Sequence, residues 1–198
     1  MDDTELHEFV ASNPGQGTFE EYRLIRDVLR RRAPGNVLIF GVGKDTGLWL
    51  DANKGGQTVF VEHEPEWIQK TRELNPGVRV VPVTYRTSRR DWRKLLDRQD
   101  ILFMEDLPND VLATAWDVIL VDSPQGGHDK RPGRMKSIYT ASVLARRAVD
   151  VEVLVHDCDR EVEQVYCDTY LGPTQLVGLE RTLRHYRVRP NTATLRHG

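Results

Sequence analysis

Two glycines, Gly41 and Gly43, run into Lys44 and Asp45, and a carboxylate, Glu62, follows Gly41 by 21 residues. Roughly 20 residues separate a nucleotide-binding glycine turn from the acid that takes a ribose diol. Glycines let the backbone approach a ligand, and an acid at a strand tip accepts two hydrogen bonds from the diol. The third glycine of a dinucleotide fingerprint is out of register, because Thr46 stands there and Gly47 comes one position late. A dinucleotide needs a helix N-terminus for its pyrophosphate. S-adenosylmethionine has no phosphate and needs only the open turn. It is the expected cofactor, held by Gly41, Gly43, Lys44, Asp45, Glu62 and Asp122. A nucleotide- or NAD-dependent enzyme, and a non-catalytic scaffold with a structural glycine pair, remain the alternatives.

Asp122, His156 and Asp157 form a second constellation. Asp122 and His156 each follow an apolar run directly, and Asp157 comes one position later. Two converging carboxylates repel and raise each other's pKa unless a cation sits between them. A divalent ion (Mg²⁺, Mn²⁺ or Co²⁺) on Asp122, Asp157 and Asp159 would supply one, lowering the pKa of an acceptor hydroxyl and holding it in line. His156 is the alternative, as a general base near neutral pH. The bland reading makes both aspartates caps of loop backbone, and Asp159–Arg160 an ion pair. The polar, glycine-rich loop from Ser123 to Arg134 suits acceptor recognition, with Gln125 among its candidates. Arginine suits a bidentate grip on a carboxylate, so Arg86 and Arg134 are expected to bind an anionic small molecule or saccharide.

The elements that must position these residues alternate between strand and helix. Thr18 with Glu21 three positions on is a capping box for a helix to about Arg32, after a loose start over residues 1–17. Strands are expected at Val37–Phe40, Thr58–Val61, Val78–Val83, Trp116–Asp122 and Glu152–Val155. Helices are expected at Thr46–Asn53, Pro65–Leu74, Ser88–Arg98, Met135–Arg147 and Glu161–Tyr170. Ile101–Ala113 reads as a link, and Leu176–Val188 as a strand pair on the sheet edge. Such alternation gives right-handed crossovers and a mostly parallel α/β sheet with helices on both faces. Ligands in such sheets bind beyond the strands' carboxyl ends, where every residue named above falls.

The 198 residues suit a single domain. A net charge of −2 argues against nucleic-acid binding. No apolar run approaches the roughly 18 residues of a membrane span. The start is too acidic for a signal peptide, and two cysteines make no disulfide framework. A cytoplasmic protein is expected, of undetermined oligomeric state.

Several segments together resemble the plant glucuronoxylan methyltransferase family, a polysaccharide-biosynthesis domain with bacterial homologues. They are Phe40 to Asp45, Val61 to Ile68, Tyr85-Arg86-Thr87, Trp116-Asp117 with Val121 to Gly126, Arg131 to Met135, and His156 to Arg160. The resemblance covers about residues 36 to 187. It implies a Rossmann-like S-adenosylmethionine-dependent methyltransferase fold and O-methylation of a sugar, in the plant members the 4-hydroxyl of glucuronic acid on xylan. On that pattern Gly41 to Asp45 and Glu62 hold the cofactor, and Asp122, Pro132 to Met135 and His156 to Asp159 face the acceptor. The plant members are Golgi proteins with a membrane anchor, and their loop differs in composition from Ser123 to Arg131. A glucuronate-type sugar, a glycoside or another small hydroxylated acid is therefore the expected acceptor.

Overall fold

The computed structural model describes residues 1–189. The chain opens with helices α1 (Asp3–Ser12) and α2 (Phe19–Arg32), then enters strand β1 (Asn36–Phe40). Helix α3 (Thr46–Ala52), strand β2 (Gln57–Glu62), helix α4 (Pro65–Leu74) and strand β3 (Arg79–Pro82) complete the first half. Three short helices follow, α5 (Trp92–Leu95), α6 (Gln99–Leu102) and α7 (Asn109–Ala113). Strand β4 (Val118–Val121), helix α8 (Met135–Ala145), strand β5 (Val151–Val155) and helix α9 (Glu161–Tyr170) precede the closing pair, β6 (Leu176–Glu180) and β7 (Leu183–Val188).

The strands form one sheet in the order β3-β2-β1-β4-β5-β7-β6. The first five are parallel, and β7 enters antiparallel between β5 and β6. Both sheet faces are covered, so the central strands read as unbroken apolar runs rather than alternating ones. One face packs Leu38, Phe40, Ile119 and Val153 against α8 and α9; the other packs Ile39, Leu120 and Leu154 against α2 and α3.

Register positions the site. Phe40 pairs with Val61 on one side and Val121 on the other, and Val121 pairs with Val155. The residues just past these ends, Gly41, Glu62, Asp122 and His156, therefore leave four adjacent strands at one level. Strand order starts on one side of β1 and resumes on the other, so the crevice opens at this switch point.

Two expectations change. Residues 1–17 are not loose throughout, because α1 forms with a capping box between Asp2 and Glu5. Its Leu6 is fully buried, and Asp3 meets Arg26 at 2.7 Å. Local sequence signals there are weak, and docking onto α2 decides. The single helix expected over Ser88–Arg98 is broken into a tight turn at Arg89–Asp91 and the four-residue α5. The amides that would start it bind another loop instead: Arg89 N donates to Arg131 O at 2.8 Å and Arg90 N to Asp129 O at 3.2 Å. The Ile101–Ala113 link contains the second half of α6 and all of α7. Among the described residues, no helix is long and apolar enough to cross a membrane.

Candidate active site

A cavity of about 380 Å³ opens over the strand ends, within the size range of small-molecule sites. Its floor begins at the glycine turn. Gly41 has φ +117, a left-handed value that side chains resist. A Cβ there would also sit 2.9 Å from the Ser123 Cβ. Only glycine lets the β1 and β4 ends run this close. Gly43 N donates to Thr46 Oγ1 at 3.0 Å, which fixes the entry into α3.

Glu62 is nearly fully buried at the tip of β2. Its Oε1 accepts from Glu64 N at 2.9 Å and His63 N at 2.5 Å, and lies 2.7 Å from His63 Nδ1. Oε2 accepts from Val42 N at 3.2 Å. Burial alone would raise its pKa, but the His63 contact and the amides outweigh it and hold the carboxyl ionised. Oε2, with one bond, keeps a lone pair for a ligand hydroxyl.

Asp45 and Asp122 both line the cavity. Burial first, and then the Asp122 charge, push the Asp45 carboxyl up to about 7, against smaller pulls from Trp49 and His156. Two carboxylates facing one space leave it short of positive charge.

Asp122 is itself well supported. Burial works against its charge, but His156 and Arg134 win and hold it below the usual carboxylate range. Its Oδ1 lies 3.3 Å from His156 Nδ1 and 3.0 Å from Arg134 Nη2. On the far side of the ring, His156 Nε2 lies 3.5 Å from Glu21 Oε2. Desolvation would lower the His156 pKa, yet hydrogen bonds to Asp122 and Glu21 push it up to about 10. The ring is an imidazolium at neutral pH, which differs from the base expected there.

Arg134 holds the strand ends together. Nη1 donates to His156 O at 2.6 Å, Nη2 to Asp122 O at 2.7 Å, and Nε to Pro124 O at 3.4 Å. Nη2 also lies 2.6 Å from Asp157 Oδ2. Asp157 has φ +61, a strained value that clusters at functional sites. Arg160 lies 2.8 Å from Asp157, so that arginine pairs with the aspartate two residues before the expected Asp159.

The candidates thus separate. Gly41, Gly43, Asp45, Glu62, Asp122, Gln125, Arg134 and Asp157 line the cavity, and His156 supports Asp122 from the edge. Asp122, His156 and Asp157 each offer a ligand atom within 4.8 Å of the others. Asp159 is exposed and outside that group. Lys44 and Arg86 are exposed and do not line the cavity. Arg134 does, but every nitrogen of its fork is already committed.

Sequence reasoning did not bring in Glu21, His63, Trp67 or Glu163. Glu21 was fully explained as a helix cap, which it also is. Glu163, in the first turn of α9, is fully buried with both oxygens unpartnered among the described residues. Burial raises its pKa, so its proton is retained more readily than usual. No local pattern signals such a residue.

The family model described as IRX15/IRX15L/GXM matches residues 20–102 and 99–186. The chain belongs to the IRX15/IRX15L/GXM family. Glucuronoxylan 4-O-methyltransferase 2 of Arabidopsis thaliana is 34% identical over 212 residues, covering 98% of this chain and 73% of that protein. Arabinogalactan O-methyltransferase 2 of the same plant is 32% identical, covering 96% and 72%. Protein IRX15-LIKE of Arabidopsis thaliana is 38% identical, covering 85% of this chain and 61% of that protein. Among solved structures, a methyltransferase-like protein from Silicibacter pomeroyi superposes with TM-score 0.54 at 18% identity, covering 86% of each chain. A putative caffeoyl-CoA O-methyltransferase from Staphylococcus aureus gives 0.52 at 14%, covering 94% and 92%. The family's fold here is that of S-adenosylmethionine-dependent methyltransferases.

Proposed function

We propose that this family member, a S-adenosylmethionine-dependent O-methyltransferase, methylates a hydroxyl of a saccharide that carries an acid group of the glucuronic type. The observation that carries the cofactor reading is the pair of carboxylates, Asp45 and Asp122, facing the cavity beside the Gly41 turn. They suit a cationic ligand and repel a pyrophosphate, which disfavours NAD. The sugar acceptor is supported by the relatives' named activities on glucuronoxylan and arabinogalactan.

When bound, S-adenosylmethionine supplies a methyl group on a positively charged sulfur. Gly41 and Gly43 leave it room, Glu62 takes the ribose diol, and Asp45 balances its charge. Asp122 accepts the hydrogen bond of the acceptor hydroxyl and lines its oxygen up for displacement, which is most of what the protein has to do. The proton released by the hydroxyl goes to Asp122 and on to water. His156, already charged, holds Asp122 with help from Glu21, and Arg134 fixes the backbone around it.

The spacing of Asp122, His156 and Asp157 favours a second reading. Two carboxylates and an imidazole fit a divalent ion such as Mg²⁺, Mn²⁺ or Co²⁺ in ligand type, and the ion would polarise the acceptor oxygen. Binding there requires His156 to lose its proton and Arg134 to share both carboxylates. Activity that survives EDTA eliminates this reading; activity lost to EDTA and restored by one of these ions selects it.

Calorimetry tests the cofactor site. S-adenosylmethionine is expected to bind and NAD not to. Because the cationic ligand needs Asp45 ionised, affinity falls about tenfold per pH unit below 7. Asp45→Asn flattens that profile. Flat affinity in the wild type between pH 5 and 8 contradicts the role given to Asp45.

A further inference from the structure

The acceptor's acid needs cationic groups with donors free to face the cavity. Each nitrogen of Arg134 already donates to the strand-end backbone or its carboxylates, and Arg86 lies outside. Two other arginines line the cavity, Arg131 and Arg160. We infer that Arg131 and Arg160, which line the same cavity wall region as Gly126 to His128, form the subsite for a sugar carboxylate, and so set the preference for uronate over neutral acceptors; this rests on the methyltransferase reading above.

Both side chains are available. Arg131 is about half exposed, and its one carboxylate neighbour within 4 Å among the described residues, Glu64 Oε1, is 3.9 Å away. That is too long for a hydrogen bond. Its backbone is nevertheless fixed, because Arg131 O accepts from Arg89 N at 2.8 Å and Arg131 N donates to His128 O at 2.9 Å. The broken helix after β3 thus has a use: it ties down the loop that presents Arg131. Arg160 uses Nη1 on Asp157 at 2.8 Å. No other carboxylate among the described residues lies within 4 Å of it, so the rest of its fork is free to grip an acid bidentately.

Gly126 makes the space. A Cβ there would lie 2.5 Å from Glu163 Oε1 and 3.3 Å from Arg160 Nη1. Any side chain at 126 would push Arg160 aside or force Glu163 away. Glu163 lies directly behind this wall. Burial raises its pKa, against the opposing pull of Arg134 and Arg160. Asp122 lines the same cavity, so an acid held by the arginines and a hydroxyl of the same sugar at Asp122 share one space.

The test uses methyl glucuronoside and methyl glucoside, which differ only in the acid at C6. Binding of each is titrated by ligand-observed NMR, with and without S-adenosylhomocysteine, on the full chain. Wild type is expected to prefer the glucuronoside by tenfold or more. Arg131→Gln and Arg160→Gln each reduce that preference at least fivefold, the double variant abolishes it, and Arg160→Lys retains part of it. A circular dichroism spectrum and melting curve like the wild type's confirm that each variant is folded. If wild type shows no preference, or the folded double variant keeps it, the subsite is overturned. Arginine-dependent glucuronoside binding in a protein that never binds S-adenosylhomocysteine would uphold the subsite and sink the methyltransferase reading instead.

Discussion

Asp122→Asn is expected to lower the rate of methyl transfer by about 10²–10⁴-fold, the range associated with a positioned proton-transfer group. Asparagine keeps the shape and can still meet Arg134, whose other bonds go to the carbonyls of Asp122, Pro124 and His156 and to Asp157. The protein should therefore fold. It loses the negative charge that accepts the hydroxyl's hydrogen bond and proton. A second readout separates this role from a merely structural one. Asp122 contributes the largest of the pulls that raise His156 to about 10, so the His156 pKa, followed by NMR, should fall in the variant toward the ordinary histidine range. S-adenosylhomocysteine, which lacks the sulfonium charge, should still bind within about tenfold of wild type. A variant with near-normal turnover removes Asp122 from the chemistry.

Arg134→Met is expected to be the most damaging single change to stability among the site residues. Arg134 is almost completely buried. Its removal takes one cationic partner each from Asp122 and Asp157, which keep His156 and Arg160, and frees three carbonyl oxygens just past the ends of β4 and β5. An unsatisfied buried acceptor costs roughly 1–3 kcal/mol, so the three together are expected to cost about 3–5 kcal/mol. At about 2–4 °C per kcal/mol for a chain of this size, the melting temperature should drop by about 10 °C. Arg134→Lys should rescue little, because one ammonium cannot reach carbonyls and carboxylates that a planar fork spans. A loss below about 1 kcal/mol in urea unfolding would mean that the clamp does not hold the site together.

The parts of the fold written in periodicity and caps were legible. The Thr18–Glu21 box, the apolar runs of β1, β2, β4 and β5, and the glycine turn all formed where the sequence puts them. The parts decided by distant partners were not. Helix α1 depends on burying Leu6 against the rest of the chain, and the break before α5 depends on amides captured by a loop some 40 residues on. The site divides in the same way. Strand-end residues such as Gly41, Glu62, Asp122 and Asp157 are visible because parallel register brings strand ends together. Which arginine is free is a matter of partners: Arg134 and Arg160 look alike in sequence, and only the hydrogen bonds tell the spent one from the available one. Glu21 hides for a related reason, since a residue that already explains itself as a cap invites no second role.

The account stands or falls on methyl transfer itself. Incubating the protein with S-adenosylmethionine carrying a deuterated methyl group and with glucuronate-bearing xylo-oligosaccharides, and analysing the products by mass spectrometry, measures it directly. The expected result is one added trideuteromethyl group per acidic sugar, placed on a ring hydroxyl by fragmentation, and absent with Asp122→Asn. Binding of the cofactor with no labelled product on these, on free glucuronosides or on neutral glycosides would contradict the account and leave a methyltransferase-fold protein that does not methylate sugars.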